Sequence, residues 1–149
     1  MNNFFRDGIE FLGRLHPMLV HLPIGFLIML ALLELLGGHS KLKHATTSNR
    51  IIFALAIPVT VFSAACGWLL AWNGDYETQV LFWHRWTGTA LVPLGFLMWW
   101  LHWRDHLKAY RVCLAATVVL LAVAGHFGAS LTHGSDFLFP WRTAQEDGH

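Results

Sequence analysis

The chain carries little charge for its length. Only 13% of its 149 residues are Asp, Glu, Lys or Arg, whereas 55% are hydrophobic. A water-soluble domain of this size needs far more polar surface to cover itself, so the composition excludes an ordinary soluble globular domain. The sequence also has no glycine-rich phosphate loop and no nucleic-acid signature, so we expect no nucleic-acid partner.

Cysteine is scarce as well. The two cysteines, Cys66 and Cys113, lie far apart, and no C-x-x-C-H motif is present, which excludes a covalently attached c-type haem. We expect two buried, inert thiols. The first residues lack a basic region followed by an apolar stretch and a small-residue cleavage site, so no cleavable signal peptide is expected. No nucleophile elbow of the G-x-S-x-G type occurs.

What the chain has instead is four long apolar stretches, at about 17–37, 51–72, 80–101 and 112–131. Each has about 20 residues, the length that an α-helix needs to cross a bilayer core. Their hydrophobicity is continuous rather than alternating, which disfavours strands. The sequence therefore predicts one all-α membrane domain over residues 1–149, an integral membrane four-helix up-down bundle. Residues 1–15 are predicted as a short N-terminal interfacial helix and 134–149 as an outer tail.

Basic residues indicate the orientation. Six of the ten lie in the loops between spans 1 and 2 and between spans 3 and 4, namely Lys41, Lys43, Arg50, Arg104, Lys108 and Arg111. Loops rich in Lys and Arg stay in the cytoplasm. We therefore expect a multi-pass protein of the bacterial inner membrane, with both termini and the loop between spans 2 and 3 outside.

Histidines gather at the outer end of this predicted bundle. Because successive spans alternate in direction, five of the ten histidines fall at one end: His16, His21, His84, His126 and His133. An ionisable side chain inside a span is costly and marks a functional site by default. One turn deeper than His21 and His84 lie Gly25 and Gly88, which leave room beside an imidazole or, as an alternative, allow close helix packing.

Imidazole is the commonest transition-metal ligand, and two imidazoles on facing helices hold b-type haem. Spans 1 and 3 lie diagonally in an up-down bundle, so our first choice of axial pair is His21 and His84. His126 is the substitute, or forms a second pair with His16. Arg85 and Arg14 are candidates to pair with haem propionates, because guanidinium matches carboxylate in a bidentate fork. We expect one haem b, with two as the alternative. A zinc site with three close histidines is a weaker alternative.

The segments HPMLVHLPIGFLIMLALLELL, WHRWTG and GHFGASLTHGSDFL resemble a bacterial family of predicted four-helix membrane proteins of unknown function. The resemblance covers roughly residues 12–138, and the family's motif histidines correspond to His16, His21, His84, His126 and His133. In larger relatives such a domain looks to be joined to extracytoplasmic c-type cytochrome domains. The resemblance thus implies a link to electron transfer.

Together these features predict an electron-transfer subunit rather than an enzyme in its own right. It would pass electrons between the quinone pool, or another membrane subunit, and an extracytoplasmic c-type cytochrome. Two alternatives stay open. One is a cofactor-free assembly subunit whose histidines hydrogen-bond helices together. The other is a proton- or metal-handling transporter.

Overall fold

The computed structural model of this chain describes residues 3–37, 45–73 and 79–134. Every regular element within these ranges is an α-helix, which confirms the all-helical prediction. The helices are α1 (Asn3–Arg14), α2 (His16–Leu19), α3 (His21–Gly37), α4 (Ala45–Asn73), α5 (Gln79–Trp103) and α6 (Leu107–His133).

The first three helices form one nearly continuous helical path. Leu15 and Val20, the residues between them, keep right-handed helical backbone angles. The amide of Leu19 donates to the carbonyl of Leu15, and that of Val20 donates to His16. Pro17 and Pro23 have no N–H to donate, so they interrupt the ladder and divide the path into segments without ending it.

Helices α3, α4, α5 and α6 pack in a ring, each against its two neighbours, and α3 also closes the ring against α6. Within the described residues α3 does not pack on α5, so the first and third long segments lie across the core from each other. The core contains the apolar residues Leu27, Leu30, Phe53, Met98, Leu101, Tyr110, Cys113 and Leu114. Van der Waals packing of these side chains holds the four helices together.

Three stretches of the described chain are long and apolar enough to cross a membrane: Phe5–Leu36, Asn49–Trp72 and Leu107–His133. Helix α5 corresponds to the third predicted span, at 80–101, but does not reach the same mean hydropathy. Its 25 residues are long enough, at about 37 Å. It carries five tryptophans, two histidines and an arginine, which lower its mean hydropathy. The spanning of α5 therefore stays a prediction.

Helix α1 packs along the C-terminal part of α4, which was not expected of an interfacial leader. The approach is close at Gly13, where an added Cβ would lie 2.8 Å from the backbone nitrogen of Leu70. Only glycine permits such backbone contact, because any other residue would carry a Cβ into the facing helix. Whether α1 also lies in the membrane interface stays a prediction.

Candidate functional site: a histidine pair

The first helical path presents one stripe to the rest of the bundle. Gly13, Pro23 and Leu27 are buried on it and His16 is half-buried, whereas His21 is exposed. Residues five apart on an α-helix point about 140° away from each other. His16 and His21 therefore cannot share a face, and only His16 lies on the inward one.

His16 stands against α4. Its Nδ1 lies 2.8 Å from the backbone carbonyl oxygen of Ser63. Its ring lies over Gly67, one turn further along α4, where an added Cβ would come within 2.8 Å of the imidazole Cε1. Glycine at this position is thus what makes room for the ring beside α4.

His84 on α5 has the same arrangement against α6. Its Nδ1 lies 2.9 Å from the backbone carbonyl oxygen of Ala124. Its ring lies over Gly128, one turn further along α6, where an added Cβ would come within 2.9 Å of the imidazole Cε1. Each histidine therefore combines a carbonyl partner with a glycine four residues later on the neighbouring helix.

The two rings face each other with centroids 6.1 Å apart and planes at 72°. A carbonyl oxygen can only accept a hydrogen bond, so Nδ1 carries the proton in both rings. In the neutral form the proton on Nδ1 leaves a free lone pair on Nε2. We call His16 and His84 the histidine pair. It presents two imidazoles of the same tautomer, each oriented by a backbone carbonyl.

Such a tautomer is the one that metal-ligating histidines adopt, with the second nitrogen donating to a carbonyl or carboxylate. The donor set, two imidazoles that each keep a free Nε2, has the chemistry that holds a b-type haem iron in proteins.

The number of ligands also bears on the kind of metal. No group of three or more His, Cys, Asp or Glu side chains converges anywhere in the described ranges. A zinc site needs at least three protein ligands. A haem iron takes only its axial ligands from the protein, because the macrocycle supplies the remainder. Two histidines therefore suit a haem iron better than a zinc ion.

Arg85 follows His84 and lies beside the pair. Its guanidinium carbon is 4.4 Å from the centroid of the Trp68 ring, a cation–π contact. The indole Nε1 of Trp68 donates to the Thr89 hydroxyl at 3.0 Å, which holds the ring in place. The Nε of Arg85 is buried and has no hydrogen-bond partner within the described part of the chain. Arg85 thus retains capacity for an anionic group.

The remaining predicted site residues lie outside this arrangement. His21 is exposed, with Nδ1 3.3 Å from the carbonyl oxygen of Met18 on its own helical path. His126 is half-buried on α6, and its ring lies 5.8 Å from that of the adjacent Phe127. His133 is exposed at the end of α6. The structure thus brings together His16 and His84 rather than the His21 and His84 chosen from the sequence.

The other predicted residues have more ordinary surroundings. Arg14 forms an exposed ion pair with Glu10 at 2.5 Å, one turn away on α1. Gly25 and Gly88 face open space, where an added Cβ would meet nothing within 4 Å. The room beside each imidazole comes from glycines on the neighbouring helix, not from small residues one turn deeper on the same helix.

Gly67 and Gly128 were missed in the sequence. They stand in ACGW and HFGAS, without any local pattern that marks them. The sequence did carry a signal about the histidines. Helical spacing turns His16 and His21 about 140° apart, so only one of the two can face the core. The carbonyl partners of Ser63 and Ala124 had no signal, because every residue has a carbonyl.

A family model described as "Predicted membrane protein (DUF2231)" matches residues 14–136. The matched region contains both residues of the histidine pair and both facing glycines. No curated protein and no solved structure matches the chain. Since the family match covers most of the sequence, and three helices are apolar enough to span a bilayer, the chain belongs to the DUF2231 family of predicted membrane proteins.

Proposed function

We propose that this chain is a membrane electron-transfer subunit that holds one b-type haem between His16 and His84. The observation that carries the proposal is the histidine pair, with ring centroids 6.1 Å apart. The two rings come from different helices, α2 and α5. The His16 Nδ1–H donates to a carbonyl of α4, and the His84 Nδ1–H donates to a carbonyl of α6. A merely packed histidine needs no such matched orientation.

Each residue around the pair has a definite task in this proposal. His16 and His84 would hold the haem iron through Nε2, and the carbonyls of Ser63 and Ala124 hold the rings in the tautomer that leaves Nε2 free. Gly67 gives His16 the room to stand upright beside α4. When bound, the haem supplies a one-electron redox centre.

Arg85 is the residue that we propose for the haem carboxylates. Its guanidinium is held over the Trp68 ring. A carboxylate would satisfy its Nε, which is buried and lacks a partner among the described residues. A guanidinium–carboxylate hydrogen bond is stronger than a neutral one, especially away from water. Arg14 is less suited, because it already pairs with Glu10 at the exposed end of α1.

The proposal includes a place in the membrane. We propose four spans in up-down order, with α5 as the third, because α5 packs between α4 and α6. The basic loops would face the cytoplasm of a bacterial inner membrane and both termini the outside. The histidine pair would then lie near the outer face, close to an extracytoplasmic c-type cytochrome. The quinone pool or another membrane subunit would be its second redox partner.

A difference spectrum of the purified protein, dithionite-reduced minus oxidised, tests haem binding. We expect a b-type α band, which His16→Ala and His84→Ala abolish. His21→Ala and His102→Ala are the controls and should retain the band. Absence of the band in the wild type, with haem supplied during expression, would refute the proposal. Loss of the band in His21→Ala but not in His16→Ala would restore the pairing expected from the sequence.

A second function is favoured by the same hydrogen bonds. His16 and His84 each bond to the backbone of a neighbouring helix, so they could fasten the helices of a cofactor-free assembly subunit. His16→Asn distinguishes the two functions. Asparagine keeps a side-chain N–H for the Ser63 carbonyl but has no Nε2. If the wild type binds no haem and His16→Asn is as stable as the wild type, the structural function is supported. If the wild type has an α band and His16→Asn loses it, the ligand function is supported.

A further inference from the structure

A second group of buried polar residues lies at the opposite end of the bundle from the histidine pair. Asn49 is near the start of α4, His102 near the end of α5 and Tyr110 in the first turn of α6. Their exposed fractions are 3%, 8% and 0%. We call these three residues the inner polar cluster.

The cluster is organised around Phe53. The Phe53 ring centroid lies 5.8 Å from that of His102 and 6.2 Å from that of Tyr110, and the latter two centroids are 5.2 Å apart. Asn49 lies one turn before Phe53 and thus on the same face of α4. The His102 and Tyr110 side chains therefore meet beside Phe53, and Asn49 lies on the face of α4 that carries Phe53.

Each of the three has a buried polar atom without a hydrogen-bond partner among the described residues: Asn49 Oδ1, His102 Nδ1 and Tyr110 Oη. Buried polar atoms in proteins are almost always hydrogen-bonded. The requirement is stricter in a membrane, where no bulk water can satisfy them. Three such atoms on three converging helices indicate a shared partner.

The chemistry of these atoms identifies that partner. Asn49 Oδ1 accepts, whereas the Tyr110 hydroxyl and His102 Nδ1 can each donate or accept. An anion would be repelled by the amide oxygen, and a metal cation would find no carboxylate or thiolate in the set. Water both donates and accepts, and a buried water typically makes about three hydrogen bonds.

Packing also limits the size of the partner. Tyr110 and Phe53 are almost completely buried. Side chains enclosed to this extent favour a small partner such as water over an aromatic head group such as a quinone.

We propose that the inner polar cluster binds ordered water, which bridges Asn49, His102 and Tyr110 and joins α4, α5 and α6. The ion pair of Glu34 and Arg111, at 2.5 Å, links α3 to α6 one residue beyond Tyr110. This pair makes the same end of the bundle polar. The proposal is independent of haem, which would bind at the other end.

Tyr110→Phe in the full-length protein, in detergent micelles or nanodiscs, is the first test. If water bridges the cluster, losing the hydroxyl removes a hydrogen bond and lowers the folded-to-unfolded ratio about fivefold. If the hydroxyl is dry and unpartnered, the same change relieves it and raises the ratio, which overturns the proposal. If Tyr110→Phe does not fold, the same measurement is made on Asn49→Leu, which should also lower the folded-to-unfolded ratio.

A double-mutant cycle tests whether the partner is shared. Combining Asn49→Leu with Tyr110→Phe should be non-additive by at least about twofold in the unfolding equilibrium, because both lose the same water. Thr117→Val is the control for Tyr110→Phe. The Thr117 hydroxyl is buried but already donates to the Cys113 carbonyl at 2.7 Å, so that pair should be additive. Additivity in both pairs would contradict a shared partner.

Infrared spectroscopy then identifies the partner itself. We expect an O–H stretching band that shifts in H₂¹⁸O in the wild type and is lost in Tyr110→Phe. Adding a short-chain quinone should not raise the thermal midpoint of the wild type by more than it raises that of Tyr110→Phe. A selective rise, or an isotope-insensitive spectrum, would overturn the water assignment.

Discussion

Substituting Gly67 by alanine distinguishes the His16–His84 pair seen in the structure from the His21–His84 pair expected from the sequence. An added Cβ would lie 2.8 Å from Cε1 and 3.0 Å from Nδ1 of His16. The ring cannot simply turn away, because its Nδ1 is hydrogen-bonded to the Ser63 carbonyl at 2.8 Å. Gly67→Ala must therefore move the imidazole or break that bond.

The magnitude follows from two opposing effects. Alanine in place of glycine in a helix interior stabilises by up to about 1 kcal/mol. Overpacking against a fixed group costs about 1–3 kcal/mol. We expect a net loss of up to about 2 kcal/mol in the free energy of unfolding of Gly67→Ala. We also expect a displaced axial imidazole, seen as a weakened or shifted α band.

The matched controls are Gly25→Ala and Gly88→Ala. Both added methyl groups would enter open space, so helix propensity alone should act and stabilise each variant by up to about 1 kcal/mol. Haem content per protein and the reduced-minus-oxidised spectrum are measured for all three variants. Unfolding is followed in the same detergent. A normal spectrum in Gly67→Ala together with haem loss in Gly25→Ala would refute the reasoning.

Two further predictions follow from other contacts. Gly13→Ala should destabilise the protein by about 1–3 kcal/mol, because its Cβ would lie 2.8 Å from the Leu70 backbone nitrogen. Gly8→Ala, which meets nothing within 4 Å, is the control in the same thermal unfolding assay, and equal midpoints would contradict the close packing of α1 on α4. Trp68→Leu removes the ring beneath the Arg85 guanidinium and should cost about 0.5–2 kcal/mol of stability. In the double variant with Arg85→Gln that cost should largely disappear, and full additivity would show that the cation–π contact contributes nothing.

Much of the fold was predictable because it follows from hydrophobicity along the chain. The continuous apolar stretches predicted helices, and in residues 3–37, 45–73 and 79–134 the structure confirms only helices, three of them apolar and long enough to span a bilayer. Helix ends were less predictable. Helix α4 begins at Ala45, about two turns before its apolar stretch. Polar residues there are good enough helix formers once the apolar part has been nucleated.

The candidate site was predictable only in part. Alternation of span direction placed His16 and His84 at the same end of the predicted bundle, and in the structure their ring centroids lie 6.1 Å apart. The choice of His21 over His16 rested on depth along the helix. Depth depends on residue number alone, whereas facing depends on rotation about the helix axis. The break at Pro17 and the packing against α4 determine that rotation.

The sequence by itself determined the class of the protein, since composition and the length of apolar stretches depend only on which residues are present. Only the tertiary structure decided which histidines meet, because their partners are backbone carbonyls and glycines on other helices, forty or more residues away. Such contacts leave no periodic pattern in the chain, and they arise only when the helices are packed.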